Sequence, residues 1–287
     1  MNNTLINICS TARSGSTMLD LMLGNDLRAF SLGEVYAWFR PFRSHHFKII
    51  CSCGQDTCPW EKMKILKESE FHKKCFSILD IDILVDSSKN LSWVIDNNIW
   101  ANKNGITVYN VLLFKQPISF FYSFWKRGIS IDSAKNSYIK YYKRFFQSGL
   151  EFIALDYNKL VANPAGVLKE LCNLMEIPYF EGKERFWEKK HHHIFGSMGT
   201  RKQVEQDESQ IKKQEDYLED FKKNISKIQS LIDKDDNFQQ LLSKLIAYEM
   251  SISNISSEKK RKKIWYYLSK IKQKYSYFFP EKWKYEQ

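Results

Sequence analysis

The stretch Thr11-Ala12-Arg13-Ser14-Gly15-Ser16-Thr17 gathers the residue types that hold an anion. Arg13 is a fixed positive charge, and Ser14, Ser16 and Thr17 bring hydroxyl donors. The loop is small and polar and is centred on Gly15. Before it, residues 5–10 are a short apolar run rich in strand formers, which predicts a buried strand. From Thr17 the period changes: Met18, Leu19, Leu21, Met22 and Leu23 give an apolar helical face, and Gly24 is a stop signal. Strand, tight loop and helix together present backbone N–H groups and the positive end of a helix dipole to an anion. The chemistry on offer is phosphate binding. The plain alternative is an ordinary strand-to-helix turn carrying a solvated arginine.

The elements that must position this loop follow the same logic. Apolar strand runs are predicted at 81–86, 107–114 and 151–155, and helices at about 60–75, 91–101, 117–127, 133–147 and 164–175. Residues 30–34 read as a short extended loop. Strands alternating with helices imply right-handed crossovers and a parallel sheet covered on both faces. In such sheets ligands bind at the carboxyl ends of the strands. Arg13 follows the first strand, Ser88 and Lys89 the second, and Lys115 the third. Their convergence predicts one site.

A nucleotide triphosphatase would carry Gly-x4-Gly-Lys-Ser/Thr, and this loop has neither the first glycine nor the Gly-Lys pair. What Arg13-Ser-Gly-Ser-Thr17 resembles is the 5′-phosphosulfate loop of the sulfotransferases that use 3′-phosphoadenosine 5′-phosphosulfate (PAPS), in the form seen in the carbohydrate and tyrosylprotein branches. The resemblance continues in order along the chain. Lys115-Gln116-Pro117 with Ser123 eight residues beyond the lysine is similar to the family's Arg-x-Pro and serine, the 3′-phosphate contacts, with lysine in place of arginine. Residues 155–164 look like the Tyr-Glu-Asp-Leu…Pro segment. Residues 193–201 resemble a late His-x-x-Gly-Asn…Arg loop, with Ser197 for asparagine and Arg201 as its basic end. Gly33-Glu34 resembles the catalytic glutamate region of the tyrosylprotein and some bacterial enzymes.

The resemblance implies a P-loop-like three-layer α/β sandwich with a central parallel sheet, spanning residues 1–205, and a helical C-terminal extension over 206–287. It implies PAPS as co-substrate and sulfuryl transfer to a hydroxyl or amine acceptor. A glycan, glycolipid or small molecule is the expected acceptor class. Sulfuryl transfer needs positioned cations, an in-line acceptor and a base. The expected catalytic set is Glu34 as base, Lys89 at the leaving oxygen, and Arg13. The expected cofactor contacts are Arg13, Ser14, Gly15, Ser16, Thr17, Ser88, Lys115, Ser123 and Arg201. No metal is required if arginine and lysine supply the charge. Competing readings are a small-molecule or nucleoside kinase and a non-catalytic nucleotide-binding module at a membrane surface.

Cys51, Cys53 and Cys58 form a tight group within an insertion at about 45–60, with His45 and His46 just upstream. Three thiols and an imidazole could hold zinc, although the spacing fixes no fourth ligand. A thiol-rich loop, with or without a reversible disulfide, is the preferred expectation. Similar Cys-x-Cys-Gly…Cys-Pro stretches occur in some bacterial sulfotransferases. His191-His192-His193 reads as a loop, because neighbouring side chains in an extended chain point to opposite faces.

The formal charge of +11 is uneven. Residues 258–287 hold ten Lys or Arg and three Glu, so most of the excess sits in the last thirty residues. The body has charge enough for a local anion pocket and no nucleic-acid-binding face is expected. The tail carries Ile264, Leu268, Ile271 and Tyr275 on one helical face, which offers peripheral membrane contact or docking on the chain's own core. The absence of a leader pattern or a run of transmembrane length sets a cytoplasmic expectation. No oligomeric state is indicated.

Overall fold

The computed structural model describes residues 3–48, 51, 53, 57–205 and 217–252. The first strand, β1 (Thr4–Cys9), is buried along its whole length and so needs cover on both faces. It is the centre of a five-stranded sheet with β2 (Ala29–Gly33), β3 (Ile83–Asp86), β4 (Thr107–Phe114) and β5 (Ile153–Asp156), in the order β2-β3-β1-β4-β5. Every pairing is parallel.

The helices are α1 (Ser16–Leu23), α2 (Val35–Phe39), α3 (Trp60–Met63), α4 (Phe71–Leu79), α5 (Leu91–Lys103), α6 (Pro117–Trp125), α7 (Ile131–Gln147), α8 (Tyr157–Ala162), α9 (Pro164–Leu174), α10 (Met198–Glu205), α11 (Glu219–Lys222), α12 (Ile225–Asp233) and α13 (Asp236–Ala247). Their starts are chemically marked. Asn90, Ser130, Asp156, Asn163 and Asp235 each accept a backbone N–H of the helix they precede. Pro117 and Pro164 occupy first-turn positions where no donor is needed.

The two-residue period of the strands sorts the core into layers. Ile6, Ile8, Val111, Leu113 and Leu155 face Leu19, Leu168 and Leu171 on one side. Cys9, Leu112, Phe114 and Ala154 face Phe120, Tyr138, Tyr142 and Phe145 on the other. Phe221, Ile228, Ile232 and Phe238 from α11–α13 join that second layer, and the Phe238 ring stacks on Tyr138 with centroids 4.9 Å apart. The architecture is the expected three-layer α/β sandwich with added C-terminal helices.

Two local expectations are corrected. Residues 30–34 are not a loop: Ala29–Gly33 is the edge strand β2, paired with β3. The helix expected over 60–75 is broken, with α3 ending at Met63 and α4 starting at Phe71. Between them the chain turns, with Leu66 packed inward and Ile65 exposed. The amphipathic tail at 258–287 and most of the link before α11 (206–216) lie outside the described residues. Among the described residues no helix is long and apolar enough to cross a membrane.

Candidate active site

The site lies at the carboxyl edge of the sheet, where β1, β3 and β4 hand over to loops. The loop after β1 ends at Gly15, which caps α1 with φ +91°. That left-handed backbone suits glycine. A second constraint acts there: a Cβ on Gly15 would stand 2.2 Å from Cδ2 and Cε2 of Tyr157. No side chain caps α1, and although Met18 N turns back to the Gly15 carbonyl at 3.1 Å, the amide end of the helix faces the loop without a side-chain acceptor, as an anion site requires. Thr11 Oγ1 and Ser14 Oγ share a hydrogen bond of 2.7 Å that closes the loop on itself. Ser14, Ser16 and Thr17 are buried beneath the loop, while Arg13, at φ +71°, is exposed.

Glu34 and Lys89 arrive from β2 and β3 and meet. Lys89 Nζ lies 2.5 Å from Glu34 Oε1, 3.4 Å from Ser16 Oγ and 3.1 Å from the Ser87 carbonyl oxygen. Glu34 N donates to the Ile194 carbonyl at 3.1 Å. Lys89 has φ +64°, and its carbonyl accepts from Tyr141 Oη at 3.1 Å. Ser88 is turned from this pair toward α2, where its Oγ accepts Tyr36 N at 3.0 Å. Behind it Asp86 is buried and accepts from Ser88 N (2.8 Å) and Trp93 Nε1 (2.7 Å). Burial opposes the charge of Asp86, yet His72, with Nε2 3.6 Å from Oδ2, together with these donors holds its pKa below the usual carboxylate value.

Lys115 and Ser123 are brought together across the start of α6, with Lys115 Nζ 3.0 Å from Ser123 Oγ. Both are buried. The ammonium also stands 4.5 Å from the centroid of Tyr157. Desolvation, with the like charges of Lys126 and Arg13, lowers the pKa of Lys115 to about 8. Arg13 is lowered by desolvation and by Arg127, and raised by Glu34. Arg127 Nη1 donates to the Ser123 carbonyl at 3.0 Å. Four cations acting on one another at a strand edge describe an anion site.

The late loop closes on α1. Ser197 N donates to Thr17 Oγ1 at 3.0 Å, and a Cβ on Gly196 would meet that same oxygen at 2.7 Å. Thr17 therefore anchors the late loop as well as bordering the anion loop. Arg201, at the start of α10, is held by the Phe195 carbonyl at 3.3 Å. His193 is fully buried beneath it, with Nδ1 2.7 Å from Ser31 Oγ and 3.5 Å from Asp20 Oδ2. Burial raises Asp20 to about 7, and burial lowers the pKa of His193 well below its usual value.

Every residue expected at the site from sequence thus lies on this edge or in the loop closing over it. Sequence reasoning missed Arg127 and Tyr157. Arg127 stands four residues past Ser123, just beyond the end of α6, and Tyr157 sits inside the matched 155–164 segment, so position could have flagged both. The cysteine group gathers elsewhere, beside β2. All six cysteines are free thiols. The imidazole that reaches Cys51 and Cys58 is that of His192 rather than His45 or His46.

No protein-family model and no curated protein matches this sequence. Solved structures do. The sulfotransferase domain from the curacin biosynthetic pathway superposes with a TM-score of 0.56 at 18% identity, over 86% of this chain and 98% of that one. The sulfotransferase domain of the Synechococcus PCC 7002 olefin synthase gives 0.47 at 14% identity, over 82% and 96%. At such low identity the first likeness speaks for architecture, and its nearly complete coverage speaks for the whole of it: this chain has the sulfotransferase fold.

Proposed function

We propose that the chain is a PAPS-dependent sulfotransferase acting on a hydroxyl-bearing acceptor, a glycan or a small molecule. The observation that carries the reading is the meeting, on this fold, of Lys115 with Ser123 and of Lys89 with Glu34 on either side of an uncapped Arg13 loop. The first pair suits a 3′-phosphate, and the loop amides with Arg13 suit the 5′-phosphosulfate. Lys115 carries its charge as a point donor, so a phosphate there is held without the bidentate fork an arginine would give.

In the proposed step the acceptor oxygen forms a bond to sulfur while the bond from sulfur to the 5′-phosphate oxygen breaks. The acceptor proton passes to a Glu34 carboxylate oxygen. The charge left on the 5′-phosphate is met by Lys89 and Arg13, and 3′,5′-adenosine bisphosphate departs. Lys89 contacts both Glu34 and the first residue of α1, so it can shift from carboxylate to leaving oxygen without a change of backbone.

Calorimetric titration of 3′,5′-adenosine bisphosphate, with ATP as comparison, into wild type and Arg13→Ala tests the donor. Binding that favours the bisphosphate and weakens at least tenfold in the variant supports the reading. It would be followed by radiolabelled PAPS with a panel of hydroxyl acceptors. Preference for ATP, or no binding, overturns it in favour of a kinase or a membrane module.

A further inference from the structure

Outside the anion site, the edge of the sheet beside β2 holds a second cluster of chemically able groups. Cys51 Sγ lies 3.8 Å and Cys58 Sγ 3.5 Å from His192 Nδ1. With Cys53 they present four ligand atoms, all within 4.8 Å of one another. For a tetrahedral zinc with Zn–S of about 2.3 Å and Zn–N of about 2.0–2.1 Å, the S···N edge is about 3.5 Å and the S···S edge about 3.8 Å. The two S···N distances match that edge, and the four atoms as a set, within 4.8 Å of one another, need draw in by no more than about 1 Å to surround one such ion. We propose that Cys51, Cys53, Cys58 and His192 form a structural zinc site.

The surroundings suit a closed site. Cys53 and Cys58 are buried, and all three cysteines pack with Trp60, Phe30 and Phe71. Cys53 N donates to Cys51 Sγ at 3.4 Å, the backbone support a ligating thiolate takes. The His192 ring lies parallel to Phe30, and Trp60 Nε1 donates to the His192 carbonyl, so ring and backbone are both fixed. An apolar cluster has no use for three thiols and an imidazole turned toward one point. With all four positions taken by protein, no site remains for substrate, so the role is architectural. The neighbouring histidines have other partners: His191 Nε2 is 2.9 Å from the Phe186 carbonyl, and His193 turns to Ser31.

The ion would tie two distant segments together beside Glu34. Ile194 bridges to both Cys51 and Gly33, and its carbonyl accepts Glu34 N. A bond from His192 to the cysteines therefore fixes the backbone that carries the proposed base.

The test is metal analysis of the full chain purified from zinc-supplemented cells without chelator, together with cobalt(II) substitution. One zinc per chain, and the intense visible absorption of tetrahedral cobalt thiolate, are expected. His192→Ala and Cys58→Ser should lose the metal, while His45→Ala and His46→Ala should keep it. A wild-type chain that takes up neither ion, a disulfide among the three cysteines, or a cobalt spectrum without thiolate character overturns the proposal, and none of these readings depends on a variant folding. Loss of metal in the His45 or His46 variant with retention in His192→Ala overturns the ligand assignment. Sulfuryl transfer enters none of these readings, so failure of the proposed activity leaves them intact.

Discussion

Lys89 and Glu34 come from two adjacent strands and form one ion pair, Nζ to Oε1 2.5 Å, against the first residue of α1. The pair is partly sheltered, with 16% and 22% of its side-chain surfaces exposed. Its geometry is set by backbone: Lys89 adopts a left-handed conformation that costs on the order of 1 kcal/mol or more, and Tyr141 holds its carbonyl in place. An exposed lysine would gain nothing from that strain. A lysine that must reach a carboxylate and an incoming anion from one position does.

Glu34→Gln should then lower kcat by about 10²–10⁴-fold, the usual worth of a positioned base. Binding of 3′,5′-adenosine bisphosphate should not weaken, because glutamine keeps the shape and removes a negative charge that now pairs with Lys89 and acts on Arg13. Initial rates with labelled PAPS and calorimetry on the same preparation check both outcomes. Unchanged turnover removes Glu34 from the mechanism.

Lys115 supplies a pH dependence. Burial and its cationic neighbours lower its pKa to about 8, so the ammonium is present below that pH and lost above it. A bisphosphate that pairs with the ammonium should bind up to tenfold more weakly for each pH unit above 8. Lys115→Arg, charged throughout, should flatten that slope. Titrations between pH 7 and 9.5 decide it, and an equal slope in the variant assigns the effect to another group.

Much of this site was legible in sequence because it is made of short local patterns. The apolar run of β1, the switch of period at Thr17 and the offset from Lys115 to Ser123 each lie within a dozen residues. What was hidden depends on distance in the chain. Ala29–Gly33 looked like a loop because Ser31 and Gly33 interrupt its apolar run. It is a strand because β3 pairs with it and His193 meets the Ser31 hydroxyl from 162 residues away. His192 could not be matched to the cysteines for the same reason, whereas His45 and His46 were near in sequence and turn instead to Phe42 and Phe195. Asn7 and Asn110 gave no signal inside apolar strands, yet they bond each other and Asn97 and Asn98 across the core.

Gly15 tests how tightly the anion loop is packed. Gly15→Ala places a methyl 2.2 Å from two ring carbons of Tyr157 at φ +91°. Backbone strain alone is worth about 1–3 kcal/mol, so Tm should fall by several degrees, on the order of 5 °C. In a Tyr157→Ala background the same change should cost less, since only the strain remains. Thermal denaturation of the four proteins measures the coupling. Equal costs in both backgrounds would mean that the ring does not limit the loop.

Asp20 gives the last prediction. It is fully buried on α1 behind the loop, and burial raises its pKa from 3.8 to about 7. Between those values the unfolded chain releases the proton and the folded chain keeps it, so folding takes up a proton and stability falls as pH rises. The loss is about 1.4 kcal/mol per pH unit and ends near pH 7, above which both states are ionised. Asp20→Asn removes this titration. The contacts it loses with Ser31 or His193 cost much the same at each pH, since burial holds the His193 pKa well below its usual value. The variant should therefore gain on wild type between pH 5 and pH 7 by about 2 kcal/mol, or on the order of 5 °C in the difference of Tm. Denaturation of both proteins at pH 5, 6, 7 and 8 should show the gap changing up to pH 7 and constant beyond it. A gap that does not move with pH would mean that the Asp20 carboxyl ionises inside the fold much as it does in water.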